Sequence, residues 1–200
     1  ILVALKSRGL KFRKNENVAA EGAKLLANGA IIGWYQGRAE FGPRALGNRS
    51  ILADARKPEV RKLINSKIKE REDFRPFAPS VLAEKADGYF ECDFDAPFMI
   101  ETVRVRANGM HLVPAATHVD GTARIQTVSR SGNPLFYDLI ANFERLSGVP
   151  ILLNTSFNRQ SEPIVNSPLE AIDCFQKSKL DALIIGDYIV DFKENYNHEN

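Results

Sequence analysis

The sequence predicts one mixed α/β domain, and three observations lead there. Short apolar runs of strand type alternate with segments of helical periodicity, with no internal repeat. The polar, Gly- and Pro-marked stretches fall between these elements, where α/β sheets present their ligand-binding loops. A chain of 200 residues with 44% hydrophobic and 26% charged side chains is long and apolar enough for one well-buried core.

The elements follow in order. Ile1 to Leu5 starts a helix-like segment too short for a signal-peptide core, and no apolar run approaches membrane-spanning length. Because the chain opens on Ile rather than Met, further sequence is expected before it, with residues 1–15 a linker or leading helix after another domain. Val18, Ala19, Leu25 and Leu26 have helical spacing within Glu16 to Asn28, and Asn28-Gly29 supplies the stop. Ala30 to Tyr35 reads as a strand, with Trp34 and Tyr35 in the core. Ser50 to Ala53 is a second, shorter strand. Pro58 opens a helix with Val60, Leu63, Ile64 and Ile68 inward and Arg61, Asn65 and Lys69 on an outward face.

Asn133-Pro134 caps a helix whose stripe is Leu135, Leu139, Phe143 and Leu146, closed by Gly148. Val149 to Leu153 is a buried strand leading into a polar loop, Asn154 to Asn158. Ser167-Pro168-Leu169-Glu170 has the capping-box pattern, and Leu183 to Val190 reads as a hairpin turning at Gly186-Asp187.

Formal net charge is only +2, yet Arg38 to Arg75 holds eleven Lys/Arg against six Asp/Glu. Such a concentrated positive field attracts phosphate metabolites and nucleic acid alike. Cys92 and Cys174 have no CxxC partner, so neither a metal finger nor a disulfide framework is indicated. A reducing, cytoplasmic setting is expected. The three histidines, His111, His118 and His198, show no i, i+4 pair of a helix-borne metal site, and no metal ligand is assigned in this chain.

The densest chemical signal is Gly37-Arg38-Ala39-Glu40-Phe41-Gly42-Pro43-Arg44-Ala45-Leu46-Gly47-Asn48-Arg49-Ser50. Gly and Pro make it a loop, and Arg is favoured over Lys where a planar fork must hold a phosphate or carboxylate bidentately. A single Arg beside Glu40 or Asp54 reads as a structural ion pair. The whole loop reads as an oxyanion site.

Four further stretches follow in order: Arg75-Pro76-Phe77-Ala78-Pro79-Ser80, His118-Val119-Asp120-Gly121-Thr122-Ala123-Arg124-Ile125-Gln126, Leu153-Asn154-Thr155-Ser156-Phe157-Asn158 and Glu162-Pro163-Ile164-Val165. Together with the arginine loop they resemble, from about Val18 to Val190, the carboxy-terminal domain of the O-carbamoyltransferases that modify nodulation factors, cephamycin and tobramycin. The resemblance implies a YrdC-like twisted mixed β-sheet flanked by helices, spanning 1–200 as one domain. It implies a carbamoyl-activating function, in which carbamoyl phosphate and ATP, with Mg2+, yield carbamoyl-adenylate. An amino-terminal actin-like domain of the same parent protein would be the partner that transfers the carbamoyl group to a hydroxyl.

Carried over by position, Arg44, Lys69, Arg75 and Arg124 are the expected catalytic residues. Ser156 and Asn158 are expected on the carbamoyl end, joined by Asn154, Thr155 and Arg49 as substrate contacts; His118 and Asp120 form a second tier. Each has a plainer reading in the sequence. Lys69 alone suits a solvated helix face, Asn154-Thr155-Ser156 could close a strand through side-chain hydrogen bonds, and Asp120-Gly121 suits a turn. The competing function is a YrdC-like nucleic-acid-binding or transfer-RNA-modification module, disfavoured because acidic residues interrupt the basic ones and no aromatic platform accompanies them.

Overall fold

The computed structural model describes residues 1–196, so His198 lies outside the described residues. In chain order the elements are α1 Leu2–Ser7, β1 Arg13–Lys14, α2 Val18–Ala27, β2 Ile32–Tyr35, β3 Arg49–Asp54, α3 Pro58–Lys67, β4 Ala78–Leu82, β5 Thr102–Arg104, α4 Ala107–Met110, β6 Thr122–Arg124, β7 Gln126–Val128, α5 Pro134–Ser147, β8 Ile151–Ser156, α6 Pro168–Ser178, β9 Ala182–Ile185, β10 Tyr188–Asp191 and α7 Phe192–Tyr196. Eight strands form one mixed sheet in the order β1-β10-β9-β2-β3-β8-β4-β7, and β5 pairs β6 apart from it. β2 runs parallel to β9 and β4 parallel to β7; the other pairings of the large sheet are antiparallel.

Strand alternation sorts the core into two faces. Ile32, Trp34, Leu52, Leu152 and Ile184 pack under α2 and α5, while Ile51, Ala53, Ile151, Leu153 and Leu183 face the other core with Ile64, Ile172 and Phe175. The central strands β2, β3 and β4 are buried along their whole length, as expected of a sheet covered on both sides. Residues 1–15 lie against this domain, with Leu5 fully buried and Arg13 paired to Ile189.

Local signals set the helix ends, those at Asn133 and Ser167 as expected, while the cap at Asn17 was not among the expected ones. Asn17 and Asn133 accept the N-terminal amides of Ala20 and Phe136, and Ser167 with Glu170 forms the capping box. Two expected faces shift. The stripe of α5 is Phe136, Leu139, Ile140 and Phe143, leaving Leu135 half-buried and Leu146 exposed. In α3, Leu63 is exposed while Asn65 is buried, and the helix ends at Lys67 before reaching Lys69. The polar run after Leu153 also differs from expectation: Asn154, Thr155 and Ser156 continue β8, pairing Leu52, Ile51 and Ser50 of β3.

Candidate active site

The arginine loop between β2 and β3 is held from beneath. One carboxylate oxygen of Glu40 accepts the amides of Leu46, Asn48 and Arg49 at 2.7, 2.8 and 3.1 Å. Trp34 Nε1 donates to Gly47 O at 2.9 Å, and Gln126 Nε2 to Leu46 O at 2.9 Å. Gly47 sits at φ 101°, and a Cβ there would overlap the Phe136 ring, so only glycine lets the loop press onto α5. These ties fix the stem and leave Arg44 exposed at the tip. Arg49 belongs to the stem. It is buried, lies 3.6 Å over the Tyr35 ring, and donates to Gln36 O, Gly37 O and Asn48 O, which occupies the groups expected to bind substrate.

A second loop, residues 69–75, brings Lys69, Arg71 and Arg75 to the same place. Lys69 was expected on an outward helix face. Because α3 has already ended, its side chain turns inward and is almost fully buried. Its Nζ lies 2.7 Å from Ser156 O, 2.9 Å from Asn158 O, 2.6 Å from Asn158 Oδ1 and 3.2 Å from Ser156 Oγ. Three ammonium donors match three close oxygens, and this joins the loop to the end of β8. Burial, with some help from Arg71, pushes Lys69 down to about 7, so its proton is exchangeable near neutrality.

The Asn158 amide is used from both ends. Oδ1 accepts from Ser156 Oγ at 2.7 Å as well as from Lys69, and Nδ2 donates to Glu162 O at 2.7 Å. Asn154, also expected to contact substrate, is buried at the end of the sheet, donates to Ser80 Oγ at 3.0 Å, to Gln126 Oε1 at 3.2 Å and to Ala45 O at 3.3 Å, and lines the cleft with its Oδ1 left without a partner. Its reach is toward the floor of the arginine loop. Thr155 is half-buried and lines the cleft.

Three adjoining hollows of about 350, 320 and 120 Å3 meet at Arg71, which lines all three. Arg44, Arg75, Arg124 and His118 line the second, and Lys69, Ser156 and Asn158 line the first. Sequence reasoning missed Arg71; its signal was the Lys69-x-Arg71 spacing, which places both on one short loop. Among the described residues Arg44, Arg71 and Arg124 have no carboxylate partner. Burial and then Arg44 lower the pKa of Arg124, whose buried Nε has no hydrogen-bond partner; burial, Arg75 and Arg124 lower that of Arg71. Arg44, Arg71 and Arg124 thus bring like charges together in a half-buried cleft, while Glu70 and Glu72 line its first hollow.

The remaining carboxylates nearby are engaged: Glu72 pairs Arg75 at 2.9 Å and Glu70 pairs Arg159 at 2.8 Å. Among the described residues no three His, Cys, Asp or Glu gather to hold a metal ion. His118 and Asp120 are joined through Thr122: His118 Nδ1 lies 3.0 Å from Thr122 Oγ1, which donates to Asp120 at 2.7 Å. Asp120 thus shapes a turn. His118 reaches the cleft edge, with its pKa lowered chiefly by burial.

The family model described as the carbamoyltransferase C-terminus matches residues 23–191. The chain belongs to this carbamoyltransferase family. The carbamoyltransferase domain is 51% identical over 184 residues to nodulation protein NolO of Bradyrhizobium diazoefficiens, a match covering 90% of this chain and 34% of that protein. It is 41% identical over 163 residues to the 3'-hydroxymethylcephem-O-carbamoyltransferase of Amycolatopsis lactamdurans, covering 81% of this chain and 31% of the relative. The chain thus spans about a third of the length of these relatives. Among solved structures it resembles full-length HypF in its phosphate- and nucleotide-bound form, with TM-score 0.59 and 16% identity over 88% of this chain and 22% of that one. Sua5 of P. abyssi in complex with L-threonine gives TM-score 0.57 and 13% identity over 84% of this chain and 46% of that one. At such identities the likeness is one of fold, and the expected YrdC-like mixed sheet flanked by helices is present. No helix among the described residues is long and apolar enough to cross a membrane.

Proposed function

We propose that this domain activates a carbamoyl group: it binds carbamoyl phosphate and ATP and forms carbamoyl-adenylate, which another domain of the parent protein passes to an acceptor hydroxyl. The observation that carries this reading is the cleft where Arg44, Arg71, Arg75 and Arg124 converge beside Lys69 and Ser156. Carbamoyl phosphate with one water gives carbamate and phosphate. A carbamate oxygen then attacks the α-phosphorus of ATP, the bond to the β-phosphate oxygen breaks, and pyrophosphate leaves. Negative charge spreads over phosphate oxygens throughout, so positioned cations stabilise the reaction without a protein nucleophile.

In this reading the four arginines hold phosphoryl oxygens through paired N–H donors. Lys69 supplies a cation whose proton can move near pH 7, Asn158, its amide engaged at both ends, orients that cation, and Ser156 faces the carbamoyl end. Any magnesium arrives on the nucleotide's phosphates, and no step is assigned to it. Titration calorimetry tests the site. ATP and carbamoyl phosphate should each bind the domain, and Arg124→Ala should weaken both at least about tenfold, the loss of a charge-assisted contact. Arg61→Ala should change neither, since Arg61 reaches Thr117 O and lies outside the cleft. Equal losses in the two variants would mean that a general positive field, and not placed contacts, attracts the anions.

A further inference from the structure

Asn65 is fully buried on α3 and does not line the cleft's open space, yet both polar groups of its side chain and its main-chain oxygen are directed at the loop that delivers the arginines. Its Oδ1 accepts Arg71 Nε at 2.7 Å, and its main-chain oxygen accepts Arg71 N at 3.1 Å. Its Nδ2 donates to Arg75 O at 2.9 Å and to Asp73 O at 3.3 Å. One side-chain amide therefore fastens both ends of the segment from Arg71 to Arg75.

The consequence for Arg71 is specific. Its guanidinium is held by Asn65 along the Nε edge and packs 4.8 Å from the Phe77 ring centroid on its face. Neither Nη makes a hydrogen bond to a described protein group, so both remain for a ligand in the three hollows that Arg71 lines. A free arginine side chain samples many rotamers, and one fixed on two sides meets an anion with less ordering to lose.

We propose that Asn65 is a positioning residue of the anion cleft, orienting Arg71 and setting the backbone of Arg75 without contacting the ligand. This rests on the reading of the cleft as a phosphate site. Only an amide has the acceptor for Arg71 and the donor for two carbonyls on one short side chain.

The test is a double-mutant cycle read as the affinity of the domain for inorganic pyrophosphate, with thermal unfolding recorded for every variant. Asn65→Ala should weaken pyrophosphate about tenfold in the native background, about tenfold again on Arg124→Ala, but less than about threefold on Arg71→Ala, because coupled residues are not additive. A role in folding alone predicts the same loss in all three backgrounds, or a lower melting temperature with unchanged affinity in the folded protein; either result would overturn the proposal. Should Asn65→Ala fail to fold, Asn65→Asp serves. It keeps the acceptor on Arg71 but turns a second oxygen on the two carbonyls and adds one negative charge beside the cleft, so affinity should again fall at least about tenfold, and native affinity would refute the idea. Absence of pyrophosphate binding by the unmutated domain would instead overturn the reading of the cleft itself.

Discussion

At the residue scale Lys69 is the most informative side chain, because its burial and its partners make opposing demands. A folded-state pKa of about 7 against an ordinary 10.5 means that the folded chain binds fewer protons than the unfolded one between these values. The contribution of Lys69 to stability therefore rises with pH across this window. Urea unfolding of the native chain and Lys69→Met at pH 7 and pH 9.5 checks this: the native chain should gain stability relative to the variant as pH rises. Anion affinity should move the other way and fall above pH 7 as the charge is lost, a trend that Lys69→Met should not show.

Glu72 gives a second residue-level prediction. Its pair with Arg75 is about half exposed on both sides, so it holds the guanidinium weakly and competes with an incoming anion. Glu72→Gln should raise pyrophosphate affinity by up to about fivefold in the same titration, the range of an exposed ion pair. A loss of affinity would show that Glu72 helps to place Arg75.

At the element scale the arginine loop depends on its stem. Gly47→Ala should destabilise the fold by about 2–4 kcal/mol, since the positive φ and the overlap with Phe136 act together. Chemical unfolding measures it, and a change below about 0.5 kcal/mol, the scale of an ordinary surface substitution, would mean that the loop yields easily. The elements legible in the sequence were those with local chemistry: the Asn28-Gly29 stop, the Asn133 cap, the capping box at Ser167 and the Gly186 hairpin. Features set by tertiary packing were not. The face of α5 is decided by what α2 and the sheet offer it, the early end of α3 turns Lys69 inward, and the partners β3 and β4 draw Asn154 to Ser156 into β8. Residues 83–121, short elements without a long apolar period, gave little signal beyond the His118–Gln126 motif.

At the scale of the whole molecule, one sheet covered on both faces presents two loops and the end of β8 to a single cleft, to which β6 of the separate two-stranded sheet adds Arg124. Arg44, Arg75, Arg124, Lys69, Asn154, Ser156 and Asn158, far apart in sequence, meet there, while Arg49 serves the frame beneath them. The residue types named the chemistry, and only the fold could separate the groups facing the cleft from those supporting it. Binding through such a cleft should depend less on salt than contact with a nucleic-acid backbone, which loses affinity steeply as counterions are no longer released.

The central claim is that this cleft joins a carbamoyl group to an adenylate, and pyrophosphate release tests it most directly. With ATP, magnesium and carbamoyl phosphate, the protein should release pyrophosphate in the absence of an acceptor, release should stop when carbamoyl phosphate is omitted, and Arg124→Ala should abolish it. Bound ATP and carbamoyl phosphate with no pyrophosphate above a heat-denatured control would contradict the account.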